Sequence, residues 1–178
     1  MSRLFENELC ERAIIKIANG DLSALNVLYD RFGKLLFSVA YSLLNDRHAA
    51  EDVLHDTFIK VVDNASLYRE QKRNGAKAWL VTVCRNLALD KIKHQKYENN
   101  LNTSSYTVSE TEQIDSDMAF MSMLSELNPE ERQIVILKVA WGLKHTQIAA
   151  VLNITPENAR QKYTRAINRL NVHNKEVE

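Results

Sequence analysis

The chain has 178 residues, 45% of them hydrophobic and 26% charged, ordinary globular proportions with room for one domain or two small ones. With only 4 Gly and 2 Pro there is little punctuation for turn-rich β structure, so an all-α fold is predicted. No run nears the roughly 18–20 apolar residues of a membrane-spanning helix and the start lacks a signal-peptide core, which predicts a cytoplasmic chain without membrane insertion, while 23 Lys+Arg against 23 Asp+Glu taken alone argues against nucleic acid.

The total conceals three unlike blocks. Residues 1–97 carry 15 basic against 12 acidic side chains, residues 98–126 none against 6, and residues 127–178 carry 8 against 5. From Asp21 onward Leu25, Leu28, Tyr29, Phe32, Leu35, Leu36, Val39 and Ala40 recur at helical spacing and predict a buried stripe. Asp46 suits the N-cap of a second helix, with Ala50, Val53, Leu54, Thr57, Phe58 and Val61 inward and Glu51, Asp52, His55, Asp56, Lys60 and Asp63 outward. The spacing of Asp52, His55 and Asp56 also suits metal ligation, but no second cluster marks itself as completing a site, and an acidic exposed face is read as a protein-docking surface. Residues 64–77 read as a polar loop, followed by a third helix over about 78–94 that buries Trp79, Leu80, Val83, Leu87 and Ile92, with Cys84 packed as a small hydrophobe and Arg85, Lys91 and Lys93 in solvent.

From Arg69 to Lys96 eight basic residues stand against two acidic ones. Such a strip, with Asn and aromatic neighbours, suits a nucleic-acid backbone and an unpaired base. Residues 98–117, with only Leu101, Tyr106, Val108 and Ile114 apolar, read as a flexible acidic linker. The predicted organisation is therefore two small helical domains, 1–97 and 118–178, joined by 98–117, each able to dock separately.

In the second half caps, breakers and periodicity agree. Asn128-Pro-Glu-Glu131 reads as N-cap, proline at the first helical position and a carboxylate two residues on; the apolar run to Trp141 ends at Gly142. A short helix over Lys144–Leu152 buries Ile148, Ala149 and Leu152, Asn153 makes the turn, and Thr155 caps a last helix with Ala159, Tyr163, Ala166, Ile167 and Leu170 inside. Its opposite face offers Arg160, Gln161, Thr164 and Arg165, side-chain types that read base edges in a major groove. This is a helix-turn-helix pattern.

Together the halves resemble the extracytoplasmic-function group of bacterial sigma factors, within the sigma-70 family of RNA polymerase specificity subunits. Leu28-Tyr-Asp-Arg-Phe32, Ala50-Glu-Asp-Val-Leu-His-Asp-Thr-Phe-Ile59 and Trp79-Leu-Val-Thr-Val-Cys-Arg-Asn-Leu-Ala-Leu-Asp90 look like region two, and Leu127-Asn-Pro-Glu-Glu-Arg132, Gly142-Leu, Gln147-Ile-Ala149 and Arg165-Ala166 like region four, with no region-three domain between. The resemblance implies that Asp52, His55, Asp56 and Lys60 dock on the β′ clamp helices of core RNA polymerase, with the β flap as a further contact. It implies that Lys72, Arg73, Asn74, Lys77 and Arg85 engage the −10 promoter element, where a base is flipped as strands separate, and that Arg160, Gln161, Thr164 and Arg165 read the −35 element. An anti-sigma factor is an implied partner; no catalytic residue, metal or cofactor is implied. Departures from the family pattern are Lys144, Gln147 and Glu157-Asn158-Ala159 at the −35 end, His55 where Gln is frequent, and a −10 loop longer than usual. A stand-alone helix-turn-helix regulator is the alternative reading. No phosphate-binding Gly-rich loop, HExxH or nucleophile elbow supports an enzyme.

Overall fold

Cys10, Ala13, Ile14 and Ile17 repeat at helical spacing between charged residues, and they bury one side of a first helix, α1 (Arg3–Ala18), which the periodicity from Asp21 onward does not include. A computed structural model describes residues 3–71, 74–101 and 123–176. After α1 come α2 (Ala24–Leu44), α3 (Arg47–Gln71) and α4 (Ala76–Leu101), then a 3₁₀ turn (Leu124–Glu126), α5 (Pro129–Val139), α6 (His145–Leu152) and α7 (Pro156–Glu176). There is no strand among the described residues.

Asn45, in the left-handed conformation at φ 50°, closes α2, and Asp46 Oδ1 accepts from Ala49 N at 2.8 Å to open α3. α3 does not stop near residue 63. Val61, Ala65 and Tyr68 are all buried at i, i+4, i+7, and the core holds them helical to Gln71. The expected loop over 64–77 is thereby corrected: residues 64–71 are helical and a helix resumes at Ala76. Asn74 (φ 64°) and Gly75 (φ 84°) turn the chain left-handed into α4. α4 in turn reaches Leu101, so the first four residues of the expected linker are helical; residues 102–117 of it lie outside the described residues.

α1–α4 pack around Leu28, Phe32, Leu36, Val53, Leu80 and Cys84, all essentially inaccessible to solvent. The stripe expected on α2 is narrower than read: Tyr29 is 49% exposed and lies against Phe58 with centroids 5.4 Å apart. In the second unit the Asn128 side chain accepts from Glu131 N, Pro129 begins α5, and Thr155 Oγ1 accepts from Asn158 N at 3.2 Å. Arg132 closes the 3₁₀ turn by donating to the Leu124, Ser125 and Leu127 carbonyls. Ion pairs Arg169–Glu131 (2.8 Å) and Lys162–Glu130 tie α7 to α5, while His145 packs on Tyr163.

The two units are not separate. Trp141 is fully buried, stacked on Phe32 of α2 at 5.8 Å and 12°, and its Nε1–H donates to the Leu35 carbonyl at 3.3 Å. One apolar core therefore runs from α1 through α2 and Trp141 into α7.

Candidate nucleic-acid and partner interfaces

Three surfaces carry the sequence-predicted residues. On α3, Asp52, His55, Asp56 and Lys60 are all exposed along one side of the helix. Asp52 Oδ2 accepts from Lys91 Nζ of α4 at 2.7 Å, and this lysine holds the Asp52 carboxyl below its usual range. Ile59 (60% exposed) continues the same face at i+3 from Asp56, and Tyr29 of α2 lies nearby against Phe58. Sequence reasoning missed both, having placed Tyr29 in the core stripe and given Ile59 no role. Acidic groups beside exposed large apolar side chains make a surface suited to a protein rather than to a phosphate backbone.

The second surface lies at the start of α4. Lys72 and Arg73 lie outside the described residues. Asn74 is exposed, but its backbone carbonyl accepts from Gln147 Nε2 of α6 at 2.7 Å. Lys77 is not at the surface: it is 3% exposed, its Nζ donates to Glu6 Oε2 at 2.9 Å, and it sits 5.9 Å from the centroid of the Trp141 ring. The Lys77 hydrogen bond, with Arg31 adding to it, holds Glu6 below the ordinary carboxylate range despite partial burial. Arg85, expected in solvent, is half-buried where α4 meets α5, and its Nε donates to Gln133 Oε1 at 3.1 Å. Burial pushes the Arg85 guanidinium below its ordinary value, though it stays charged. Asn74, Lys77 and Arg85 do not touch one another; each meets a different residue of the second unit, Gln147, Trp141 and Gln133.

The third surface is the outer side of α7. Arg160, Gln161, Thr164 and Arg165 are all exposed, opposite buried Ala159 and Ala166. Glu157 in the first turn accepts from Arg160 Nη2 at 3.0 Å and from Gln161 Nε2 at 3.1 Å through one oxygen. Those two hydrogen bonds lower the Glu157 carboxyl, and the same contact raises the Arg160 guanidinium. Glu157 thus orders two of the four exposed side chains beside it. No group of His, Cys, Asp and Glu among the described residues is arranged to hold a metal, and no described helix is long and apolar enough to cross a membrane.

The family model for Sigma-70 region 2 matches residues 28–97 and that for Sigma-70, region 4 matches residues 117–170. Among similar curated proteins is the ECF RNA polymerase sigma factor BldN of Streptomyces coelicolor, 27% identical over 82% of this chain and 56% of that one. The chain belongs to the sigma-70 family, as an extracytoplasmic-function sigma factor. RNA polymerase sigma factor CarQ of Myxococcus xanthus is 24% identical over 87% of this sigma factor and 91% of its own length. Among solved structures, the sigma factor RpoE in complex with the anti-sigma factor NepR, from Bartonella quintana, shares the fold with a TM-score of 0.69 at 23% identity, over 82% of this chain and 92% of that one. Helices α2–α4 fall in region 2 and α5–α7 in region 4, in the order read from the sequence. A stand-alone helix-turn-helix regulator is not favoured, because it leaves the match to region 2 without a role.

Proposed function

We propose that this sigma factor binds core RNA polymerase and directs it to a promoter set through three surfaces with separate tasks. The α3 face, Asp52, His55, Asp56 and Lys60 with Ile59 and Tyr29 beside them, docks on the β′ clamp helices, and region 4 contacts the β flap. Asn74 and Arg85, with Lys72 and Arg73, engage the −10 element as its strands part; Lys77 serves mainly as the buried partner of Glu6. Arg160, Gln161, Thr164 and Arg165 read the −35 element in the major groove.

The observation that carries this reading is the α7 face: four base-reading side chains exposed on a helix whose other side is core, with Glu157 ordering two of them. The chain supplies recognition, not bond chemistry, so it is no enzyme, and it works in the cytoplasm where polymerase does. The likeness to a sigma factor solved with an anti-sigma factor supports a partner of that kind here.

Run-off transcription with purified core polymerase tests the whole reading, and charge reversal at Asp52 and Asp56 tests its first part. The double variant D52K/D56K is expected to lose core binding in a pull-down while its affinity for a −35 duplex is unchanged. Retained core binding would remove the α3 face from the proposal.

A further inference from the structure

The buried side of α7 is built largely from small residues, with Ala159 and Ala166 fully enclosed and Leu170 nearly so. Alanine raises no ridge to seat in a neighbouring groove, so this stripe lets α7 approach closely but fixes its rotation about its own axis only weakly. On the α6 side Tyr163 adds a ring contact with His145 at 5.7 Å. On the α5 side the holding groups are charged. Glu131 Oε2 accepts from Arg169 Nη1 at 2.8 Å, and Glu130 accepts from Lys162 Nζ.

We propose that Glu130 and Glu131 are positioning residues for −35 reading: together they latch α7 at two points and set the roll at which Arg160, Gln161, Thr164 and Arg165 face the major groove. The inference rests on the assignment of those four side chains to the −35 element.

The arrangement of the pairs gives the latch its leverage. Glu130 and Glu131 are adjacent in the first turn of α5, a turn fixed by Pro129 and by the Asn128 side chain, which accepts from Glu131 N. Lys162 and Arg169 stand two helical turns apart, about 10 Å along the axis, so the two pairs together resist both rolling and sliding, which either alone would not. A roll of roughly 20° already exceeds what a bidentate base contact tolerates. The pairs differ in depth. The Glu131 side chain is 9% exposed, and loss of Arg169 would strand its charge away from water, so this contact is the firm one. The Lys162–Glu130 pair is more open to solvent and acts by direction more than by strength. Glu130 also stands beside Arg85 of α4, where its charge offsets part of the penalty of burying that guanidinium. A change at Glu131 leaves that contact alone.

A direct phosphate contact by Lys162 and Arg169 is the competing account of two cations on this helix, and it makes a different prediction. Positioning governs the preference for a matched over a mismatched −35 sequence, whereas phosphate contacts strengthen or weaken both duplexes alike. Three full-length variants separate the two. Glu131→Ala removes the buried carboxylate and leaves Arg169, more than half exposed, free to enter water. E130A/E131A releases both cations, and K162R/R169K keeps both pairs.

Fluorescence anisotropy is read with two duplexes, one carrying the −35 segment of a promoter defined by transcript start sites after overproduction of the protein, the other with that segment scrambled. Thermal melting follows the fold. E131A is expected to cut the wild-type preference about tenfold, the scale of one good base contact, and E130A/E131A further, with affinity for the scrambled duplex kept or raised. K162R/R169K should keep the wild-type preference. An unchanged preference in E130A/E131A overturns the latch, whether both duplexes then bind more tightly, as freed phosphate contacts would make them, or more weakly together with a lower melting temperature, as a merely structural role would. Should E131A fail to fold, E130A at the more open pair carries the test, and its preference must fall for the latch to stand. A wild type that does not distinguish the duplexes rejects the −35 assignment itself, a failure separate from that of the latch.

Discussion

Arg165 and Glu157 lie on the exposed side of α7 proposed to read DNA, and substitution separates their contributions. Arg165 is exposed, and if it reads a base Arg165→Ala should cost about 1–3 kcal/mol on the matched −35 duplex and little on a mismatched one. A phosphate contact would instead weaken both alike and flatten the salt dependence. Glu157 holds Arg160 and Gln161 through one oxygen, so Glu157→Ala should relax sequence discrimination while raising affinity for any duplex, because a negative charge leaves the surface. Fluorescence anisotropy with matched and mismatched duplexes at two salt concentrations reads both effects. Glu157 was legible as a helix-start acid; its double hydrogen bond was not, since that depends on where two neighbouring side chains settle.

At the level of the helix, capping makes the firmest prediction. The Asn128 side chain accepts from Glu131 N at the head of α5, and Asn128→Ala should cost about 1 kcal/mol and lower the melting temperature by a few degrees. Differential scanning calorimetry checks it. Asn128, Pro129, Asn153 and Thr155 are all readable from sequence because each acts locally: Asn128 and Thr155 accept from a backbone N–H three residues on, Asn153 takes up the left-handed backbone, and Pro129 fixes φ at the first helical position. α1 was not, because Cys10, Ala13, Ile14 and Ile17 are interleaved with Glu8, Glu11, Arg12 and Lys16 and its apolar side is narrow. The far half of α3 escaped for a related reason: small Ala65 is the link between Val61 and Tyr68, and an alanine in a polar stretch carries little periodic signal. Trp141 looked like the end of an apolar helix, and its partners Phe32 and Leu35 lie more than 100 residues away in the chain. Spacing along one element does not announce a contact of that kind.

For the molecule as a whole, Glu6 is a joint between helices that pH can loosen. It accepts from Lys77 of α4 and from Arg31 of α2 at 2.8 Å, which holds its folded pKa below the ordinary carboxylate value. A depressed carboxylate stabilises the fold above its unfolded pKa of about 4.3 and loses that contribution as pH falls through the lower folded value. Glu6→Gln should therefore melt below wild type at pH 7, and the gap should close progressively below about pH 4; a gap independent of pH would assign the effect to packing instead. Because Lys77 lies under Trp141, the same variant should also loosen the packing of Trp141, read as a red shift of tryptophan fluorescence. The net charge of zero, which taken alone argued against DNA, is a sum over surfaces that this fold keeps apart: acids on α3, bases and amides on α7.

The same burial that builds the core also withdraws both cysteine thiols from the chemistry of the cell. Cys10 and Cys84 are fully enclosed and burial pushes both thiols up to about 12, which disfavours the reactive thiolate near neutral pH. In the folded chain peroxide and glutathione meet no accessible cysteine thiol, which leaves exposed thioethers such as Met123 as the sulfur that an oxidant can reach.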